Sequence, residues 1–323
     1  MPVSQINICP SNHVTLNEIE TQFTELTTSD QFHRFEVVIE SHQRAHCEVY
    51  SRYGRKYLPI AAFKHADVTT FPISEAEDIF MSSSTGGNER SRHFIRKMSI
   101  YQDAVCAGFE SVFGPGPFTI WAFLPGYIPN SSLVRMLKIL IERYGHDNSQ
   151  FFLSDHLPQI ESHDPPLIFF GAAFGLLDLV ESNIYRLPGD ARIVETGGMK
   201  THRREMTRAE LHAQLARGFG LQENRIWSEY GMCELLSQAY AKGGGVYYPP
   251  PWMRVIIVDP LNPEQILPEG EAGLLAITDL ANIHTVSSIL TEDLGVKRGH
   301  GFEVLGRFPG SALRGCNFLL DSG

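Results

Sequence analysis

The sequence predicts an α/β fold: a parallel or mixed sheet with flanking helices, then an antiparallel β meander toward the C-terminal end. Two observations carry this. Between residues 118 and 227, short apolar runs alternate with stretches of helical spacing. Past Gly243, apolar runs follow one another with only turns between them. Parallel neighbours need a crossover, usually a helix, whereas antiparallel neighbours need only a turn.

Leu16 to Tyr50 is rich in helix formers and charges and reads as helical, and Ser51 to Thr70 reads as a surface excursion. A helix is expected from about Ser99. Phe118–Leu124, ended by Pro125-Gly126, reads as a buried strand. Ser131–Tyr144 places Leu133, Met136, Leu137 and Leu140 at helical spacing, with Asn130 or Ser131 as cap. Leu167–Phe170 is a second strand, and Gly171 is expected to open a helix over Ala172–Glu181. Arg192–Val194 is a third strand. Thr207-Arg208-Ala209-Glu210 is a capping box that starts a helix to about Arg217, closed by Gly218. Arg225–Trp227 is a fourth strand. Trp252–Val258, Leu274–Thr278 and Phe302–Leu305 form the meander. Residues 1–70 are thus expected to be a helical lead-in, 71–245 an α/β core, and 246–323 a β-rich part of the same unit.

The 323 residues are 43% hydrophobic, with a formal net charge of −10. Such an acidic chain is a poor partner for nucleic acid or anionic membrane, since both recruit basic surface. No apolar run reaches membrane-spanning length, and the first residues lack the basic and apolar regions of a signal peptide. Five cysteines with no CxxC pair suggest reduced thiols and a cytoplasmic protein. GxxxxGK[ST], GxGxxG and GxSxG are absent, which argues against a P-loop NTPase, a Rossmann dehydrogenase and an α/β-hydrolase. His42 and His46 could share a metal on one helix face, but the same pair suits a solvated face.

Five stretches could carry chemistry. Ser82-Ser83-Ser84-Thr85-Gly86-Gly87, followed by Arg90 and Arg92, could wrap an anion with backbone N–H groups and hydroxyls; the composition also suits a linker. Glu195-Thr196-Gly197-Gly198 follows a strand at its carboxyl end, where open α/β sheets bind ligands; it could equally be a plain glycine turn. Tyr230-Gly231-Met232-Cys233-Glu234 puts an aromatic ring near a carboxylate able to hold Mg²⁺. Thr291-Glu292-Asp293-Leu294-Gly295 reads as a turn whose Asp293 could accept both hydroxyls of a ribose. Gly306-Arg307 comes last.

Taken in order, SSSTGG, YGMCE, TEDLG and GR resemble the motifs of the adenylate-forming, acyl-CoA synthetase-like superfamily. FKH at 63–65, LPGYIPNSSL at 124–133, FFGAAFGLLDL at 169–179 and ETGGMK at 195–200 resemble its acyl-protein synthetase (LuxE-like) branch. The resemblance runs from about Tyr57 onward and implies layered, adenylation-domain-type sheets. It further implies that a carboxylic acid, fatty or aromatic, reacts with ATP to give acyl-AMP and pyrophosphate, and that a cysteine thiol then takes the acyl group as a thioester.

Carried over residue by residue, Ser82 to Gly87 would hold the phosphates, and Thr196, Gly197 and Gly198 the adenine. Tyr230, with Gly231, would stack on the base. Asp293 would take the ribose, Arg307 the ribose and phosphate, and Glu234 the Mg²⁺. Cys316, two residues after Arg314, would be the nucleophile, with Cys233 a stand-in for the usual threonine. Phe169, Phe170 and Phe174 would line the acyl pocket. The loop lacks the superfamily's lysine, so Arg90 or Arg92 would supply charge without its geometry. Gly-Arg lies near the end of the sequence, so the C-terminal lid domain of larger relatives is expected to be missing. Acyl transfer to the protein itself or to a carrier, reductase or other biosynthetic partner is then favoured. A free-standing acyl- or aryl-CoA ligase, or a catalytically weak acyl- or nucleotide-binding subunit, is the alternative.

Overall fold

The computed structural model describes residues 14–82, 90–125, 128–152, 157, 165–182, 185–197, 206–243 and 245–308. The chain opens with α1 (Leu16–Gln22), α2 (Ser29–His46) and α3 (Glu48–Tyr53), then β1 (Leu58–Pro59) and α4 (Ala62–His65). A hairpin, β2 (Asp78–Met81) and β3 (Arg92–Ile95), leads to α5 (Met98–Phe113). Next come β4 (Thr119–Phe123), α6 (Ser132–Tyr144), β5 (Gln150–Phe152), β6 (Leu167–Ala172), α7 (Ala173–Ser182), β7 (Arg192–Thr196), α8 (Arg208–Phe219), β8 (Ile226–Tyr230) and β9 (Ala239–Lys242). The last strands are β10 (Val246–Tyr247), β11 (Met253–Val258), β12 (Ala272–Asp279), β13 (Ser288–Arg298) and β14 (Gly301–Arg307).

Two six-stranded sheets result. The first has the order β5-β4-β6-β7-β8-β9, parallel throughout except for β9. Both faces are covered, as a parallel sheet requires. Phe170 and Val194 face one core with Phe109 and Leu137 of α5 and α6, while Phe169 and Ile193 face another with Leu211, Leu215 and Phe219 of α8. The second sheet, β10-β14-β13-β12-β11, is the expected antiparallel meander.

Local signals fixed several element ends. Thr207 accepts from the Glu210 backbone and Glu210 reaches back to the Thr207 backbone, which is the expected capping box. The end of α8 differs from expectation. Gly218 lies inside the helix, where the Val180 side chain of α7 fills the space a Cβ would need. Gly220, at φ +70°, closes the helix in the left-handed conformation. Gly171 sits within β6 and does not open α7.

Three further expectations change. The stretch 51–70 is not a surface excursion: Leu58 and Phe63 are fully buried, and β1 adds a parallel strand beside β13. Its apolar residues are too few for a sequence pattern, and the partner strand is more than 200 residues away. The supposed turn at 291–295 is the middle of β13, with Leu294 paired to Leu274 on one side and Gly306 on the other. β7 and β8 run past Val194 and Trp227, so Glu195, Thr196, Ser228 and Tyr230 are strand residues.

Candidate functional site

The carboxyl end of β8 meets the second sheet where β13 and β14 pair. Tyr230, the last residue of β8, donates its hydroxyl to Asp293 Oδ2 at 3.0 Å. Its ring packs edge-on against Tyr247 and Phe302, which stack on one another. Asp293 sits opposite Arg307 in the β13–β14 register, with Arg307 Nε 3.8 Å from Asp293 Oδ1. Arg307 also donates to Glu292 at 3.4 Å. Tyr230, Asp293 and Arg307, separate in sequence, therefore form one row.

Glu234 follows in the loop after β8. Burial pushes its carboxyl up, and the Ser91 side chain and the positive charges of Lys64 and Arg307 pull it back. Its oxygens are of the hard kind that Mg²⁺ takes, while Lys64 and Arg307 already compensate part of its charge. Asp279, fully buried, anchors this loop through the backbone N–H groups of Leu236 and Ser237, the Ser237 hydroxyl and the Ala281 N–H. His93 of β3 anchors it from the hairpin side. Its Nδ1 lies 2.8 Å from the Cys233 carbonyl, which can only accept, so Nδ1 carries the proton and Nε2 accepts from Thr285. Burial lowers the His93 imidazole to about 4.

Ser82 stands at the mouth of the β2–β3 hairpin, donating to and accepting from the Ser91 backbone. Ser83, Ser84, Thr85, Gly86 and Gly87 lie outside the described residues, as do Gly198 and Cys316. Arg90 is half-buried just before β3. Arg92 is paired to Asp67 at 2.9 Å, so its charge is engaged there. Gly231 lies against Glu229, whose Oε1 occupies the space a Cβ there would need. Cys233 is buried, its thiol pushed well up by burial, as suits a packing residue more than a nucleophile. Phe169 and Phe170 are fully buried on opposite faces of β6, so the two rings cannot line one pocket; Phe174 of α7 is half-buried. The His42 and His46 rings lie 4.4 Å apart, tilted by 30°, and among the described residues no cluster of metal-ligating side chains forms.

Two buried carboxylates lie in or beside the motif stretches but were assigned no role from sequence. Glu195 pairs with Arg208 and lies 3.4 Å from His212 Nε2, which sits 3.0 Å from Ser228 Oγ. Glu229 accepts from the Thr196 hydroxyl and is raised to about 7, chiefly by burial. The only early sign was their position next to glycine-bearing strand ends.

A pH dependence follows. Below pH 4.5 both folded and unfolded chains keep Glu229 protonated, and the stability it lends is complete. As pH rises, the unfolded chain ionises first, and that stability is lost through about 7. The shift is worth about 3 kcal/mol. His93 slopes the other way, losing stability as pH falls from 6.5 through about 4. The difference in unfolding free energy between wild type and Glu229→Gln isolates the first effect: it should shrink by about 3 kcal/mol between pH 4.5 and 7.5. A difference constant with pH would contradict the protonated assignment.

No protein-family model matches the chain, and no curated protein does. Solved structures match its fold. An open conformation of 2-hydroxyisobutyryl-CoA ligase in complex with 2-HIB-AMP and CoA superposes with a TM-score of 0.62 at 11% identity, over 97% of this chain and 83% of that one. The same ligase in the postadenylation state, with R3-HIB-AMP, gives 0.61 at 11% identity, over 92% and 72%. ATP-bound MatB from Rhodopseudomonas palustris gives 0.51 at 15% identity; the match covers 74% of this chain and only 49% of MatB. The chain thus has the α/β fold of these structures and spans about half the length of MatB.

Proposed function

We propose that the protein activates a carboxylic acid with ATP, forming acyl-AMP and releasing pyrophosphate, and then passes the acyl group to a thiol. The observation that carries this reading is the row Tyr230–Asp293–Arg307, with Glu234 beside it, at the carboxyl end of the first sheet. It brings a largely buried ring, a half-buried carboxylate for two hydroxyls and an exposed guanidinium for phosphate into one row.

In the first step the acid's carboxylate oxygen attacks the α-phosphorus, and the bond to the β-phosphate breaks with its electron pair leaving on pyrophosphate. The nucleophile is already ionised near neutral pH, so no base is required. The difficulty is bringing two anions together. Arg307, Lys64 and the 82–90 loop would offset that repulsion, and a preorganised donor of this kind is typically worth about 3–4 kcal/mol in the transition state. Lys64 of α4 is the candidate for the charge missing from the loop's sequence. A Mg²⁺ ion held by Glu234 would supply further positive charge.

In the second step a thiolate attacks the acyl carbonyl and AMP leaves. Cys316 is the proposed nucleophile, with a fatty or aromatic acid as the substrate class, in the manner of an acyl-protein synthetase. With a labelled acid and ATP, wild type should retain acid-stable, hydroxylamine-labile label, and Cys316→Ala should retain less than a tenth of it. Equal label on Cys316→Ala protein would remove that role. Coenzyme A is the second acceptor to test, because the 2-hydroxyisobutyryl-CoA ligase that shares this fold carries CoA.

A further inference from the structure

Thr196, Glu229 and Tyr240 are cross-strand neighbours on β7, β8 and β9 and so lie side by side on the same face of the first sheet. The face is the one packed by α5, where Phe113 meets the Tyr240 ring edge-on at 5.4 Å. Thr196 donates to Glu229. The Tyr240 hydroxyl, in a residue 3% exposed, has no hydrogen-bond partner among the described residues. The same holds for Oε1 of Gln238, in a residue 6% exposed. Gln238 and Glu229 both approach Gly231. Tyr101 of α5 faces the group, but its hydroxyl is committed to the Ser132 carbonyl at 2.8 Å. Buried polar atoms are nearly always partnered, so two orphans next to a buried carboxyl call for a missing partner.

The position of the row limits what that partner is. Glu229 immediately precedes Tyr230, whose hydroxyl is on Asp293. Glu229 and Tyr230 point to opposite faces of β8, so an acid whose carboxyl meets a phosphate near Tyr230 and Asp293 reaches the row by passing over the carboxyl end of that strand. A plain alkyl chain there would leave the Tyr240 phenol and the Gln238 amide oxygen unfilled beside the Glu229 carboxyl. We propose that the substrate acid carries a hydroxyl or amino group on its carbon skeleton, received by Glu229, Tyr240 and Gln238. The inference rests on the adenylation reading and narrows its substrate class: a hydroxylated or aminated acid fits the row, and a plain fatty acid does not. Sites built to hydrogen-bond a substrate group reject analogues lacking it far more strongly than apolar pockets reject a size change.

The test is pyrophosphate exchange by the full chain with matched acids: butyrate, hydroxybutyrate and aminobutyrate, and benzoate, hydroxybenzoate and aminobenzoate. At least one polar acid should exceed its parent in kcat/KM by about a hundredfold. Tyr240→Phe and Glu229→Gln should reduce that ratio by about tenfold or more, with the KM for ATP unchanged. Loss of the amino preference alone in Glu229→Gln would assign the amine to the carboxylate; loss of the hydroxyl preference in Tyr240→Phe would assign the alcohol to the phenol. Tyr240→Phe removes an unpartnered buried hydroxyl, so its melting temperature should match or exceed that of wild type. Parent acids that exchange as well as the polar ones, with a ratio unmoved by Tyr240→Phe, would overturn this inference and leave adenylation standing. No exchange with any acid would overturn both.

Discussion

Asp293→Ala should lower kcat/KM for ATP by about a hundredfold in acid-dependent pyrophosphate exchange, while the protein still folds. In the proposed complex the carboxylate accepts ribose hydroxyls, and hydrogen bonds to charged groups contribute about 1.5–3 kcal/mol each. Asp293 also accepts from Tyr230 and faces Arg307, so the variant removes the carboxylate that Tyr230 donates to and one of the two that flank the Arg307 guanidinium. The loss should appear mainly in KM for ATP, because a ribose contact is made in ground and transition states alike. Tyr230→Phe keeps the ring and removes only the bridge to Asp293, and should cost less. A kcat/KM for ATP within threefold of wild type in Asp293→Ala would remove the nucleotide from this row.

Asp279→Ala should be the more damaging change for stability, at about 3–5 kcal/mol. The carboxyl is fully buried and accepts from Leu236 N, Ser237 N, Ser237 Oγ and Ala281 N at 2.6 to 3.1 Å. Removing it strands several buried donors at once, each with a desolvation penalty of about 1–3 kcal/mol. The damage would spread through a connected latch. Ser237 also accepts from Trp252, and Asn282 donates to the Glu234 carbonyl while its own carbonyl accepts from Gln43 of α2. Because the latch holds the segment bearing Glu234, activity should fall along with stability. Denaturant midpoints for wild type, Asp279→Ala and Asp279→Asn measure this, with Asn the milder since it keeps one acceptor. A loss under 1 kcal/mol for alanine would mean that the loop is held by other contacts.

How much of this was legible in the sequence depends on how far each residue's partners lie. The capping box at Thr207 and Glu210 was readable because both halves sit within one helical turn. Leu167–Phe170 read as a buried strand because a parallel strand is apolar on both faces and needs no alternation. TEDLG read as a turn because its residues favour turns, but pairing to β12 and β14 on both sides overrode that preference. The β2–β3 hairpin was missed because four-residue strands around a Ser/Gly-rich stretch present too little pattern.

The site was legible as a set of motifs and not as a geometry. That Asp293 and Arg307 face one another follows from strand register. That Tyr230 reaches Asp293 follows from the docking of two sheets 63 residues apart in sequence. Glu195 and Glu229 received no role from the sequence, since what distinguishes them is burial, and burial is a property of the whole fold. Lys64 gained its place from α4, in a stretch that read as surface.

The central claim is that this fold, with this row of residues, joins an acid to AMP. Pyrophosphate exchange tests it most directly: purified protein, ATP, magnesium, labelled pyrophosphate and a panel of aliphatic and aromatic acids, with and without polar substituents. The account predicts label entering ATP only when a suitable acid is present, and its near loss in Asp293→Ala. Nucleotide binding by thermal shift with no acid-dependent exchange across the panel would contradict it, leaving a nucleotide-binding subunit in place of an enzyme.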